Sequence, residues 1–344
     1  MPTDIAFPRW TQFLIISAAF VVVVAGMRVA APLLIPVFLS IFIAIICWPP
    51  LFWMHKKGLP DWIAVMLVLS GVIIIISMLA VMVGSSIDSF ARNLPGYQAR
   101  LSSELFTLIH WVESHGVDVS EDVFMEYLDP GKLLRIAGKT LSGFGSAFTN
   151  TLMILFTVGF IFFEAFELPK KMKKAFGENV QTAGFEYFLE SVRQYLGIKS
   201  ATSAATGIAV TLMLMVLGVD FPILWGVVAF LLNFIPNIGS IIAAIPVVLL
   251  ASVQLGLDIA LYTLIGFLTI NTVIGSIIEP RLLGQGLGLS TLVVFLSLIF
   301  WGWVFGPTGM FLSVPFTMIL KIAFASSDET RWIAVLLGTA GVRD

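Results

Sequence analysis

Between residues 200 and 320 the chain carries only four formal charges, Asp220, Asp258, Glu279 and Arg281. An acid and a base one residue apart, Glu279-Pro280-Arg281, can do two kinds of chemistry in apolar surroundings. They can form a gating ion pair, or the carboxylate can take up and release a proton. The plainer role is a pair of interfacial charges at a helix end. Proline disfavours helical geometry in the residue before it, so Glu279 is expected to close its helix.

A second polar group lies at Asn233 and Pro236-Asn237-Ile238-Gly239-Ser240, between two apolar runs. Non-helical backbone inside a membrane is tolerated only where it is buried in protein or lines a polar cavity. The amides of Asn233 and Asn237 and the hydroxyl of Ser240 suit a polar solute there, and they equally suit an ordinary turn. Asn271 and Thr269 lie within another apolar run, as do Thr202, Ser203 and Thr206, and hydrogen bonds between helices are their expected work.

Other chemistries find no support. His55, His110 and His115 have no clustered carboxylates or cysteines around them, so no metal site is expected. Gly284, Gly286 and Gly288 lack the preceding strand of a nucleotide loop, and no Gly-Lys-Ser/Thr occurs. Gly-x-Ser-x-Gly is absent too. Cys47 stands alone, which rules out an internal disulfide. With a net charge of −2 and no basic stripe, nucleic acid is not an expected partner. The reading is of a protein that is not an enzyme and needs no cofactor.

The elements that must position these residues are membrane helices. Hydrophobic residues make up 58% of the chain and charged ones 12%, about half the charged share of a soluble domain. Uncharged runs at 62–87, 140–163, 200–219, 221–257, 259–278 and 282–320 are each long enough to approach or exceed the ~20 residues of a spanning helix. Trp10–Met27 reads as the first helix, Val29–Trp48 as the second, stopped by Pro49-Pro50, and Trp62–Ile87 as the third. Leu101, Leu105, Leu108, Ile109 and Val112 recur at helical spacing in a polar block that follows. Asp118 to Glu121 resembles a capping box. Gly143–Phe163 is the fourth helix. Lys56, Lys57 and the lysines at 170, 171, 173 and 174 belong on the cytoplasmic side, which places the acidic block at 88–139 outside.

The second half repeats its order of features. An uncharged helix (200–219) precedes an apolar pair folded at Pro236 to Gly239, and another (259–278) precedes a pair folded at Gly306-Pro307-Thr308-Gly309. Pro307 and Gly309 are thereby the second tip's counterparts of Pro236 and Gly239. Whether each pair is a hairpin that returns to its own side or two arms that span fully, each unit ends on the side opposite its start, so the two are expected to be inverted relative to one another. The expected organisation is an all-α polytopic membrane protein. Residues 1–87 hold three transmembrane helices and 88–142 an external amphipathic insert. Residues 143–199 hold helix four and a cytoplasmic helix, 200–257 and 258–323 two helix-plus-hairpin repeats, and 324–344 a cytoplasmic tail.

Three segments resemble hallmark stretches of the autoinducer-2 exporter family. They are Phe234-Ile-Pro-Asn-Ile-Gly239, Glu279-Pro-Arg-Leu-Leu-Gly-Gln-Gly-Leu-Gly-Leu-Ser290, and Phe295 to Gly309 with Ser313-Val-Pro315. The resemblance extends over nearly the whole chain. It implies export of autoinducer-2, a small quorum-sensing signal, across the bacterial inner membrane by a homo-oligomer, a pentamer, embedded in lipid. Within the wider family it also implies an alternative, sodium(lithium)/proton antiport. That chemistry wants a carboxylate well inside the membrane, whereas Glu279 falls at a segment end. The residues assigned to transport on these grounds are Asn233, Pro236, Asn237, Gly239, Ser240, Asn271, Glu279, Arg281, Pro307 and Gly309.

Overall fold

Large apolar side chains cover much of the outer surface: Phe13, Ile16, Val22, Ile74, Val81, Phe160 and Val216 are all more than half exposed. Hydrocarbon is the solvent in which such a surface is stable. A computed structural model describes residues 8–114, 151–176, 183–236, 238–283, 288–325 and 327–338. Every regular element among them is a helix. The order is α1 (Arg9–Val29), α2 (Ala31–Lys56), α3 (Asp61–Ser114), α4 (Thr151–Phe176), α5 (Ala183–Leu217), α6 (Pro222–Leu232), α7 (Gly239–Leu255) and α8 (Leu257–Ile270). A π-helical segment, Asn271–Ile278, joins α8 to α9 (Glu279–Leu283), and α10 (Thr291–Phe311), α11 (Ser313–Ala325) and α12 (Arg331–Leu337) follow. Among the described residues, five helices are long and apolar enough to cross a membrane: Ala31–Lys56, Asp61–Phe90, Glu190–Leu217, Leu257–Leu283 and Thr291–Phe311. The protein is a multi-pass helical membrane protein.

Several helices run further than the sequence implies. Pro49-Pro50 does not stop α2, which continues to Lys56. Proline's φ is itself helical, and the extra turn seats Leu51, fully buried, against Ala64, Val65, Val158 and Phe162. Packing outweighs the lost backbone bonds. Likewise α3 passes through Pro95 to Ser114 as one helix of 54 residues, so the start of the polar block is a continuation of the third span. The capping box at 118–121 and residues 143–150 of the expected fourth helix lie outside the described residues. The lysine cluster continues α4, and residues 183–199 continue into the span of α5.

Contacts at the helix ends sort the molecule into two sides. On one, His55 pairs with Asp61, the Arg193 guanidinium lies 4.8 Å over Trp48 and Trp48 meets Phe166 at 5.6 Å. This is the side carrying Lys56, Lys57 and the lysines of α4. On the other, Arg28 lies 4.6 Å over Trp303, which brings the α1–α2 turn beside the second hairpin. The tail is not free: the Ser290 N–H donates to the Leu337 carbonyl at 3.0 Å, which docks α12 at the start of α10.

Candidate functional site at the hairpin tips

The first hairpin is anchored at its base outside the span. Gly218 ends α5 with φ 75°, and Phe221 adopts φ 58°, a left-handed conformation rare for an aromatic residue. The Asp220 N–H donates to Gln254 Oε1 at 2.9 Å, and Tyr97 on the long extension of α3 donates its hydroxyl to Asp220 Oδ2 at 2.7 Å. From there α6 descends 11 residues, about 16 Å, to Asn233. That side chain is buried and donates through Nδ2 to Ser203 Oγ at 3.0 Å. The chain then turns, and α7 begins at Gly239.

Glycine at 239 is required by proximity. A Cβ there would stand 1.8 Å from the Leu232 carbonyl oxygen, and its φ is not positive. The second hairpin repeats the arrangement: a Cβ at Gly309 would stand 1.9 Å from the Trp301 carbonyl oxygen and 2.9 Å from Phe305 Cβ. The break in that hairpin is made by Gly306, at φ 64° and ψ −148°, a region open essentially to glycine alone. Trp301 Nε1 donates to Thr317 Oγ1 at 3.2 Å, holding the two arms together.

The two tips meet. Phe234, directly after Asn233, packs against Phe311 at 4.4 Å between ring centroids. Phe42 from the middle of α2 closes on both, at 5.8 Å from Phe234 and 4.8 Å from Phe311. Aromatic contacts at these separations contribute about 0.5–1.5 kcal/mol each beyond area burial. The tips therefore pack shut against one another.

An ion pair between a buried lysine and a half-buried glutamate joins the helices that lead into the hairpins. Lys199 Nζ donates to Glu279 Oε1 at 2.7 Å and to Oε2 at 2.9 Å. The Lys199 and Glu279 side chains are 7% and 14% exposed, so little water shares the pair. Thr202 Oγ1 lies 3.2 Å from Glu279 Oε2 and 3.1 Å from the Lys199 carbonyl, and its one proton can serve only one of them at a time. Fourteen residues further along α5, Met213 packs against Gly266 on α8. Contacts at 199–279 and 213–266 mean that these two helices run antiparallel. Beside Lys199, Ser200 Oγ is buried with no hydrogen-bond partner.

Glu279 does not end its helix, contrary to the expectation from Pro280. Its φ/ψ of −57°/−50° is helical and its N–H bonds to the Ile274 carbonyl, five residues back. The wider π turn makes room where a proline ring would clash with the carbonyl four residues before it. Nor is Arg281 the observed ion partner. It is exposed, because two residues along a helix point to different faces, and Lys199 takes the carboxylate instead.

Of the sequence-derived candidates, Asn233 and Gly239 are buried at the first tip, with Pro236 and Ser240 half-buried around them. Asn237 lies outside the described residues. Gly309 is buried at the second tip, and Pro307 is exposed. Asn271 opens the π segment, two turns from Glu279, and Thr269 bonds the Ile265 carbonyl of its own helix at 2.8 Å rather than a neighbour. Thr202 and Ser203 do bond across helices, as expected. Lys199, Phe42 and Phe311 were not legible as site residues. The available signal for Lys199 was a lone base at the edge of one uncharged helix matched by a lone acid at the edge of another.

Residues 15–328 match the sequence profile of the AI-2E family transporters. The chain is 39% identical over 327 residues to "AI-2 transport protein TqsA" of Escherichia coli, covering 95% of each protein. It is 39% identical to a "Putative transport protein" of Haemophilus influenzae, covering 93% of this chain and 94% of that one. It is 34% identical to YhhT of E. coli, which bears the same description, over 93% and 92%.

Proposed function

This chain belongs to the AI-2E family of transporters, and from that premise we propose that it exports a small, neutral, polar solute, autoinducer-2, across the bacterial inner membrane. The transport units are the two helix-plus-hairpin repeats, inverted relative to one another, in a homo-oligomer of five copies that the resemblance implies. The observation that carries the reading is the meeting of the two tips: buried Asn233 and Ser203 lie directly beside the Phe234–Phe311 contact. Polar groups at a closed aromatic junction suit a solute with several hydroxyls, which can take over the Asn233–Ser203 bond as the tips part. The unpartnered Ser200 hydroxyl adds a further group to such a path.

The experiment is flux of labelled autoinducer-2 from vesicles reconstituted with the full chain. Asn233→Ala should lower the rate about 5- to 150-fold, since a lost buried partner costs ~1–3 kcal/mol, while assembly in the membrane is retained. Parent-like flux in that variant would remove Asn233 from the path.

One observation favours the antiport alternative. Glu279 is half-buried within a candidate span, where a cation-exchanging carboxylate would belong. Its charge, however, is already matched by Lys199. A sodium gradient imposed on these vesicles is therefore expected to move no protons, and a sodium-driven pH change abolished by Glu279→Gln would favour antiport instead.

A further inference from the structure

A carboxylate largely withdrawn from water within a transporter's spans needs a counter-cation in every state where water is excluded, because an unpaired ion there costs several kcal/mol. Transporters meet that need with a mobile cation, which couples transport to its gradient, or with a fixed one. We propose that Lys199 is a fixed counter-cation, occupying on Glu279 the position a coupling cation would take, and so makes transport independent of sodium and of protons. The inference rests on the reading that the hairpins carry solute, and it names what sets their coupling.

The geometry supports it in three ways. The Lys199 ammonium reaches both carboxylate oxygens, at 2.7 and 2.9 Å, and so covers the carboxylate edge a cation would approach. The remaining group at hand is the Thr202 hydroxyl, 3.2 Å from Oε2. Without the ammonium, Glu279 Oε1, Oε2 and Thr202 Oγ1 are left as a set of hard oxygen donors, the type that binds non-transition cations. Finally, Lys199 and Glu279 belong to different leading helices, α5 and the continuation of α8, so the charge match is made between the two repeats. The titratable groups nearest along these two helices are Tyr195, buried one turn before Lys199, and exposed Arg281, two residues beyond Glu279.

The test uses the purified full chain in lipid nanodiscs. Thermal unfolding is followed in sodium chloride and in choline chloride at matched ionic strength, and across a pH series in choline. The parent and Lys199→Arg should unfold at the same temperature in both salts. Lys199→Met keeps the side-chain volume and removes the charge. It should unfold earlier in choline and recover by ~2–4 °C or more in sodium or on acidification, the first outcome assigning an alkali cation and the second a proton. Lys199→Met/Glu279→Gln has no charge to match and should lose the response to both. In vesicles, solute flux by Lys199→Met should become sodium- or pH-dependent by about tenfold, whereas parent flux does not. A sodium-dependent parent overturns the proposal. So does a Lys199→Met protein indifferent to both sodium and pH, and so does one that fails to assemble under every cation and pH, since an available carboxylate would have been rescued. Absence of autoinducer-2 flux in the parent would instead count against the proposed substrate, and leaves the unfolding comparison intact.

Discussion

Adding one methyl group at Gly239 tests whether the first tip works as a closely fitted, moving part. The new Cβ would stand 1.8 Å from the Leu232 carbonyl oxygen and 3.2 Å from Ile235 Cβ. Side-chain carbons essentially never come within 3.0 Å of such an atom, so the α6–α7 turn must open by about 1.2 Å before Gly239→Ala fits. The obstacle is backbone and cannot rotate away. Forcing extra volume into a packed site costs roughly 1–3 kcal/mol. This falls on the closed tip, where Asn233 bonds Ser203 and Phe234 packs on Phe311, and is relieved when the tip opens. The closed state should lose about 5- to 150-fold in relative population, and a transporter that must reclose in each cycle should slow in proportion. The assay is autoinducer-2 flux from vesicles together with thermal unfolding of the purified protein. Ile241→Ala, at a 59%-exposed position two residues away, should change neither. Gly309→Ala, facing Trp301 oxygen at 1.9 Å, should repeat the effect at the second tip. Parent-like flux and stability in Gly239→Ala would refute both the close fit and its role in the cycle.

Glu279→Gln strands the Lys199 ammonium at 7% exposure, and removal of one member of such a pair typically costs about 3–5 kcal/mol. A clear fall in unfolding temperature is expected, with Glu279→Asp falling less. Tyr97→Phe removes the bond that ties the α3 extension to the base of the first hairpin. Burial and the Asp220 carboxylate push the Tyr97 phenol up from 10.0 to about 12. Its contribution is therefore complete below pH 10 and is lost as pH rises towards 12; a difference titration of the parent against Tyr97→Phe, followed by phenolate absorbance, should show a late-ionising tyrosine. For topology, single cysteines are placed in a Cys47→Ala background. An impermeant thiol reagent added outside the cell should label positions 28 and 220, and should leave positions 57 and 171 unlabelled until the membrane is opened.

The membrane class, the two hairpins and the polar first tip were all readable from the sequence, and for one physical reason. Hydrocarbon excludes charge and unpaired backbone, so uncharged runs such as 259–278 and interruptions such as Pro236 to Gly239 can have few meanings. Helix ends were less readable. Pro49-Pro50, Pro95 and Pro280 are local signals to stop, and each was overridden. In α2 the packing of Leu51 decided the outcome, and before Pro280 the π segment absorbed the clash. Packing of that kind depends on residues far away in the chain. The partner of Glu279 shows the same limit. Arg281 is its neighbour in sequence, but a helix turns adjacent residues to different faces, and only the antiparallel docking of α5 on α8 brings Lys199, eighty positions away, within 2.7 Å. The type of each charge belonged to the sequence. Which charges meet, and that Phe42, Phe234 and Phe311 close the space between the tips, was decided by tertiary structure, because apolar pattern fixes what a residue faces and not which residue faces it.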